Sequence, residues 1–178
     1  MHNILPEIGL ILLLLETEEI TKEGSDHHPI VLLGYHRGAR ALIEKMEETA
    51  PDLLKKIMVI DFNLEVLKEL GDRNVKGVFG DISSMDTLEH AHVAKAEIIF
   101  STIPDMLLKK TCNLSLVKTC RTLAPNAMIV ATADSTQQME ELKKNGADDV
   151  LLPYSLIGEN LAWIIFDIYG INNGRKNQ

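Results

Sequence analysis

Between Val31 and Arg40 the chain reads "VLLGYHRGAR": an apolar run stops on Gly34 and a helix-like stretch opens at Arg37 and Gly38. Glycine permits the tight turn that such a change of direction needs, and the first amides of a helix point outward without partners. Together with the positive end of the helix dipole they attract an anion, phosphate above all. His36 stands where a dinucleotide-binding turn ordinarily carries its second glycine. Its β-carbon obstructs the close approach of a pyrophosphate, while its ring N–H and the Arg37 guanidinium offer donors to a single phosphate. A mononucleotide, or a diphosphate seated differently, suits these residues better than a conventionally held NAD.

Two carboxylates follow at matching places. Asp61 closes the apolar run "KIMVIDFN" and Asp81 closes "VKGVFGD". A carboxylate at the end of a second strand accepts hydrogen bonds from ribose hydroxyls and repels a 2′-phosphate. The span from Gly34 to Asp61 exceeds the usual separation of about 20 residues, and the insert "EETAPDLL" absorbs the excess. Asp81 is placed to face an adenine edge, and Ser101 opens the "STIPD" loop at the end of a further apolar run. Asp61 and Asp81 also suit strand-ending turns that bind nothing, so both readings stand at this point.

Other chemistry is thin, and no residue is assigned to catalysis or to a metal. His27-His28 sits in a linker, and His90 and His92, two apart on a helix, face different ways. There is no Ser/His/Asp order, Walker lysine or Tyr-x-x-x-Lys dyad. Cys112 and Cys120 have no CxxC or Cys/His ligand spacing around them. On one helix they lie too far apart to bridge, which fits buried free thiols in a reducing compartment.

These residues must be positioned by elements, and the bulk properties limit which. A length of 178 residues suits one domain with a single substantial core. Aromatic content of 4% favours aliphatic strand-and-helix layers, and a net charge of −8 argues against nucleic acid as a partner. Residues 1–28 read as an N-terminal linker or membrane-proximal helix, 29–170 as the folded domain and 171–178 as a polar tail. The run "IGLILLLL" in the first segment is far short of the about 20 apolar residues a spanning helix needs. It also lacks the basic flank and cleavage site of a signal peptide.

From Pro29 onward, strand-like and helix-like stretches alternate without a hairpin signal. After "IVLLG", Ala39, Leu42, Ile43 and Met46 recur at helical spacing. "LEVLKELGD" predicts a helix ended by Gly71, and Ser83 or Ser84 is placed to cap a short one after Asp81. Pro104-Asp105 predicts the opening of a long helix reaching about Leu123. Ser135 to Gln138 has the form of a capping box, and Asn145-Gly146 supplies the stop. Parallel neighbours need crossovers, so the pattern predicts a Rossmann-like, doubly wound α/β domain. About six parallel strands would carry helices on both faces. The last stretch, "SLIGENLAWIIFDIYG", is apolar nearly all round and must be covered on two sides. Crossing onto a second protomer would cover it, and so would packing of the N-terminal leucine run.

The segments "IVLLGYHRGA", "MVIDFN", "GVFGDISSMDTLEHAHVAKAEIIFSTIPD", "AMIVATADS" and "NGADDVLLPYSLIGENLA" together resemble the TrkA-N domain, also called KTN or the N-terminal lobe of RCK. The resemblance covers Pro29 to about Trp163. The segment "STIPDMLLKKTCNLSLV" is most similar to versions fused to Kef-type cation:proton antiporters. The resemblance implies a cytoplasmic, non-enzymatic regulator of potassium or sodium transport, a homodimer that exchanges its last helix and serves a membrane cation transporter or antiporter. It also implies an adenine nucleotide (AMP, ADP or ATP) or NAD(H) as ligand, held at Gly34, Arg37, Asp61 and Asp81. Arg37 matches the arginine of the family's Gly-x-Gly-Arg turn, whereas His36 and Ala39 depart from its glycines. The full candidate set is Gly34, His36, Arg37, Gly38, Asp61, Asp81 and Ser101. An NAD(P)-linked oxidoreductase and a structural dimerisation module with a degenerate nucleotide site are the alternatives.

Overall fold

Short β-branched and leucine-rich runs become strands here because helices cover both of their faces. The computed structural model describes residues 28–171. Its strands are β1 (Ile30–Leu33), β2 (Ile57–Asp61), β3 (Lys76–Phe79), β4 (Ile98–Ser101), β5 (Met128–Thr132) and β6 (Asp149–Leu151). They form one six-stranded sheet in the order β3-β2-β1-β4-β5-β6, with every neighbouring pair parallel. Ile30 pairs with Ile57 on one side and Ile98 on the other, so β1 lies at the centre. The chain leaves β1 toward one edge and returns beside it as β4. That reversal opens a crevice at the carboxyl ends of the two strands.

The helices are α1 (Arg37–Thr49), α2 (Leu64–Asp72), α3 (Met85–His90), α4 (Asn113–Leu123), α5 (Thr136–Lys144) and α6 (Pro153–Tyr169). Alternate residues of a strand face opposite layers. Leu32, Ile57 and Val59 meet Ala39 and Ile43 of α1 and Leu70 of α2. Val31, Leu33, Ile60, Ile99 and Ile129 meet Leu88 of α3, Leu116, Val117 and Cys120 of α4, and Leu142 of α5. The predicted doubly wound sheet is thus the fold observed. Ser84 caps α3 by accepting from the Thr87 amide at 3.4 Å. Ser135 caps α5 through the Gln138 amide at 3.2 Å, while the Gln138 side chain reaches one residue further back, to the Asp134 amide at 2.8 Å.

Some expected boundaries differ. No long helix starts at Asp105: a short 3-10 turn covers Asp105–Leu107, Lys110 takes a left-handed conformation (φ 63°), and α4 begins at Asn113. The cause is the Asp105 carboxylate, which accepts from the Asn113 amide at 2.7 Å and so caps the later helix from outside it. Cys112 accordingly sits at the N-cap of α4 and only Cys120 lies within the helix. Gly71 falls inside α2, and the left-handed residue that ends the turn is Asn74 (φ 58°). Asparagine tolerates that region, and the Leu70 carbonyl then accepts the Val75 amide and leads the chain into β3.

Helix α6 has no buried residue. Leu161 is 56% exposed and Ile164 likewise 56%, with Leu156, Ile157, Ile165 and Ile168 also exposed. The leucine run from Ile8 to Leu15, named above as its possible cover, lies outside the described residues. Among the described residues no helix is long and apolar enough to cross a membrane.

Candidate functional site

The turn after β1 is built as the sequence predicts, and its reason is visible. Gly34 adopts φ +80°, a region that costs an L side chain strain, and donates its amide to the Ile60 carbonyl at 2.8 Å. The chain then rises into α1 with His36 as N-cap, and no side chain caps the helix. The first-turn amides therefore face the strand ends with no capping oxygen. Arg37 and Gly38 are exposed beside them and His36 is half-buried. The first turn of α1 itself carries no acidic residue.

Asp61 lies across this turn and has a structural task that no local pattern announces. One carboxylate oxygen accepts from the Tyr35 amide at 2.7 Å, and the other accepts from the Asn63 amide at 2.9 Å. It stitches the end of β2 to the β1 turn and turns its own chain into α2. Each oxygen keeps a further lone pair, and Asp61 stays half-exposed, so acceptor capacity remains toward the crevice. Asp81 is exposed and accepts from the Ser83 amide at 2.9 Å and the Ser83 hydroxyl at 2.7 Å. Those bonds from Ser83 hold its carboxyl below the usual carboxylate range, helped by the positive charge of Lys110. Lys110 belongs to the segment after β4.

The structure brings Gly34, His36, Arg37, Gly38 and Asp61 to one place, and leaves Asp81 at the rim. Ser101 is placed differently. It is 2% exposed, and its hydroxyl donates inward to the Asn113 Oδ1 at 2.6 Å. The residues of the same loop that do face the turn are Thr102 and Ile103. The Thr102 Cβ lies 3.0 Å from the position a β-carbon on Gly38 would take, and the Ile103 Cδ1 fills the space a β-carbon on Gly34 would need. Only the proximity of "STIPD" to a strand end pointed toward them in the sequence.

The turn is braced from the side of α2. Arg40 donates to both oxygens of Glu69, at 2.6 and 3.0 Å, and its guanidinium lies 4.8 Å from the centre of the Tyr35 ring. Arg73 joins Glu69 at 3.3 Å and Glu47 at 3.0 Å. Tyr35, directly after Gly34, is buried beside this Arg40–Glu69 pair.

A parallel sheet in this order, a glycine turn into an uncapped helix and an aspartate ending the second strand define a Rossmann-type domain. Residues 30–153 match the TrkA-N domain model, and the chain belongs to that family. Probable potassium channel protein 2 from Methanocaldococcus jannaschii is 32% identical over 141 residues, covering 77% of this chain and 38% of that protein. Glutathione-regulated potassium-efflux system protein KefC from Cronobacter sakazakii is 31% identical over 91 residues, covering 51% of this chain and 14% of that protein. The chain thus spans well under half the length of these relatives. The TrkA-N domain of inner membrane protein ybaL from Escherichia coli superposes with a TM-score of 0.65 at 23% identity, covering 78% of this chain and 96% of that one. The Kef C-terminal domain of Shewanella denitrificans in its AMP-bound form gives a TM-score of 0.62 at 17% identity, covering 80% and 82%. Both likenesses are likenesses of fold.

Proposed function

We propose that this chain is a nucleotide-sensing regulatory domain, acting as a homodimer on the cytoplasmic side of a membrane cation transporter or antiporter, and not an enzyme. The observation that carries this reading is the uncapped start of α1 facing Asp61 across the Gly34 turn, in a member of a family whose relatives include a potassium channel and a potassium-efflux protein. An adenosine phosphate fits these residues. Its phosphate would meet the amides of Arg37, Gly38 and Ala39 with the Arg37 guanidinium and the His36 ring nearby, and its ribose hydroxyls would meet Asp61. Asp81 would stand at the base end. The AMP-bound Kef domain supports that choice of ligand class.

The regulatory part rests on α6. A helix with apolar residues exposed all round needs a second surface, and a second copy of the chain supplies one by symmetry. Ligand at the strand ends can then bias the dimer only through its difference in affinity between two arrangements.

Thermal melting with AMP, ADP, ATP, NAD⁺ and NADH tests the ligand, because binding to the folded state raises apparent stability. Saturable stabilisation by at least one is expected, and no shift with any would defeat the reading. Asp61→Asn removes the charge and keeps an acceptor for only one of the Tyr35 and Asn63 amides, so the melting temperature should fall. In the variant that is still folded, binding of a ribose-bearing ligand should weaken about tenfold, on the order of 1.4 kcal/mol. Unchanged affinity would remove Asp61 from the site. Steady hydride exchange with any small substrate would show catalysis instead.

A further inference from the structure

A dinucleotide in a doubly wound sheet uses both halves of the crevice, with its diphosphate crossing the turn after β1. In this chain the segment after β4 lies on that turn. Ile103 Cδ1 occupies the space beside the Gly34 α-carbon, and Thr102 packs against Gly38. One loop thus approaches both glycines, burying Gly34 and leaving Gly38 exposed.

The loop is fastened from behind. Asn113 is 1% exposed and donates its side-chain amide to the Ile103 carbonyl at 2.8 Å and to Asp105 Oδ1 at 2.8 Å. The same side chain accepts the Ser101 hydroxyl at 2.6 Å. Asp105 Oδ2 in turn accepts from the Gln138 side-chain amide at 2.8 Å, which ties the loop to α5 as well as α4. These bonds hold the backbone of the loop, since buried polar groups left unpaired are costly, and so keep the root of the Ile103 side chain beside the turn.

Resting on the nucleotide reading above, we propose that Ile103 is a specificity-determining residue. It closes the β4 half of the crevice, so the site takes a single adenosine phosphate and refuses a dinucleotide. A steric plug of this kind acts on the ligand that must cross it and spares the ligand that ends before it.

Calorimetry on the full chain with AMP and with NAD⁺ tests this in three proteins: unaltered, Ile103→Ala and Ile103→Val. The valine variant removes Cδ1 alone and keeps the β-branched side chain, so it carries the test if the alanine variant does not fold. In the unaltered chain AMP should bind at least about tenfold more tightly than NAD⁺, the scale set by a methylene in a packed site. That ratio should fall about tenfold in Ile103→Ala and by a smaller step in Ile103→Val. Equal affinity for the two ligands in the unaltered chain would overturn the inference while leaving the nucleotide reading intact. So would a ratio unmoved in a variant that melts like the unaltered protein. Silence for AMP and NAD⁺ alike in the unaltered chain would overturn the nucleotide reading itself, and the inference with it.

Discussion

Gly34 is held to glycine by its own dihedral and by its neighbour together. Its φ of +80° strains an L residue by about 1–2 kcal/mol, and an added β-carbon meets Ile103 directly. Gly34→Ala should therefore lower stability by about 2 kcal/mol or more, read as an earlier urea midpoint with an unchanged slope. A midpoint within error of the unaltered chain would show that the loop after β4 moves aside at little cost. Cys120 illustrates the opposite case, a residue whose chemistry is switched off by place. Burial pushes its thiol up to about 12, so it packs as a small apolar group in the sheet's larger core. Asp61 was legible as a strand-ending carboxylate. Its bond to the Tyr35 amide was not, because nothing within either strand records which backbone group the other will bring.

At the scale of elements, α1 and α2 are joined by Glu69. The hydrogen bond from Arg40 holds the Glu69 carboxyl below the usual range, with the charges of Arg40 and Arg73 adding to it. A carboxyl lowered in the folded state takes up its proton more readily in the unfolded chain. Its contribution is complete above the ordinary glutamate value, about 4.3, and is lost as pH falls through the lower folded-state value. Melting temperature should thus decline as acid is added below about pH 5, and the decline should be shallower in Glu69→Gln. Identical slopes would mean that the pair is fully solvated and contributes nothing. Pairs of this exposure are worth about 0.2–1 kcal/mol, so the change in slope will be small. The expected helix at Asp105 failed at this scale for a related reason. Proline followed by aspartate is a good local opening, but the carboxylate found a better partner in the Asn113 amide, and Gln138 on a later helix fixed the arrangement.

At the scale of the whole molecule, α6 presents an exposed apolar surface among the described residues. Apolar side chains exposed along several turns are unfavourable in water by about 25 cal/mol for each Å² left uncovered, which is a driving force for pairing. Light scattering at micromolar concentration should give a dimer. The double substitution Leu161→Glu and Ile164→Glu should give a folded monomer with an unchanged circular dichroism spectrum. A monomeric unaltered chain, or a double variant that remains dimeric, would place the contact elsewhere. The length of the relatives also bears on this scale, since the chain spans 38% of the channel protein and 14% of the efflux protein.

By itself the sequence determined the alternation of strand and helix, the aliphatic strands buried on both faces, the glycine turn after β1 and the aspartates at two strand ends. These are local or periodic properties, fixed by backbone sterics and by the side on which apolar residues fall. Tertiary structure alone decided that Ser101 turns inward to Asn113, that Ile103 rests on Gly34, and that Asp105 caps a helix it does not enter. Each is a contact between residues on different elements, and its geometry exists only after the sheet has brought the ends of β1 and β4 side by side.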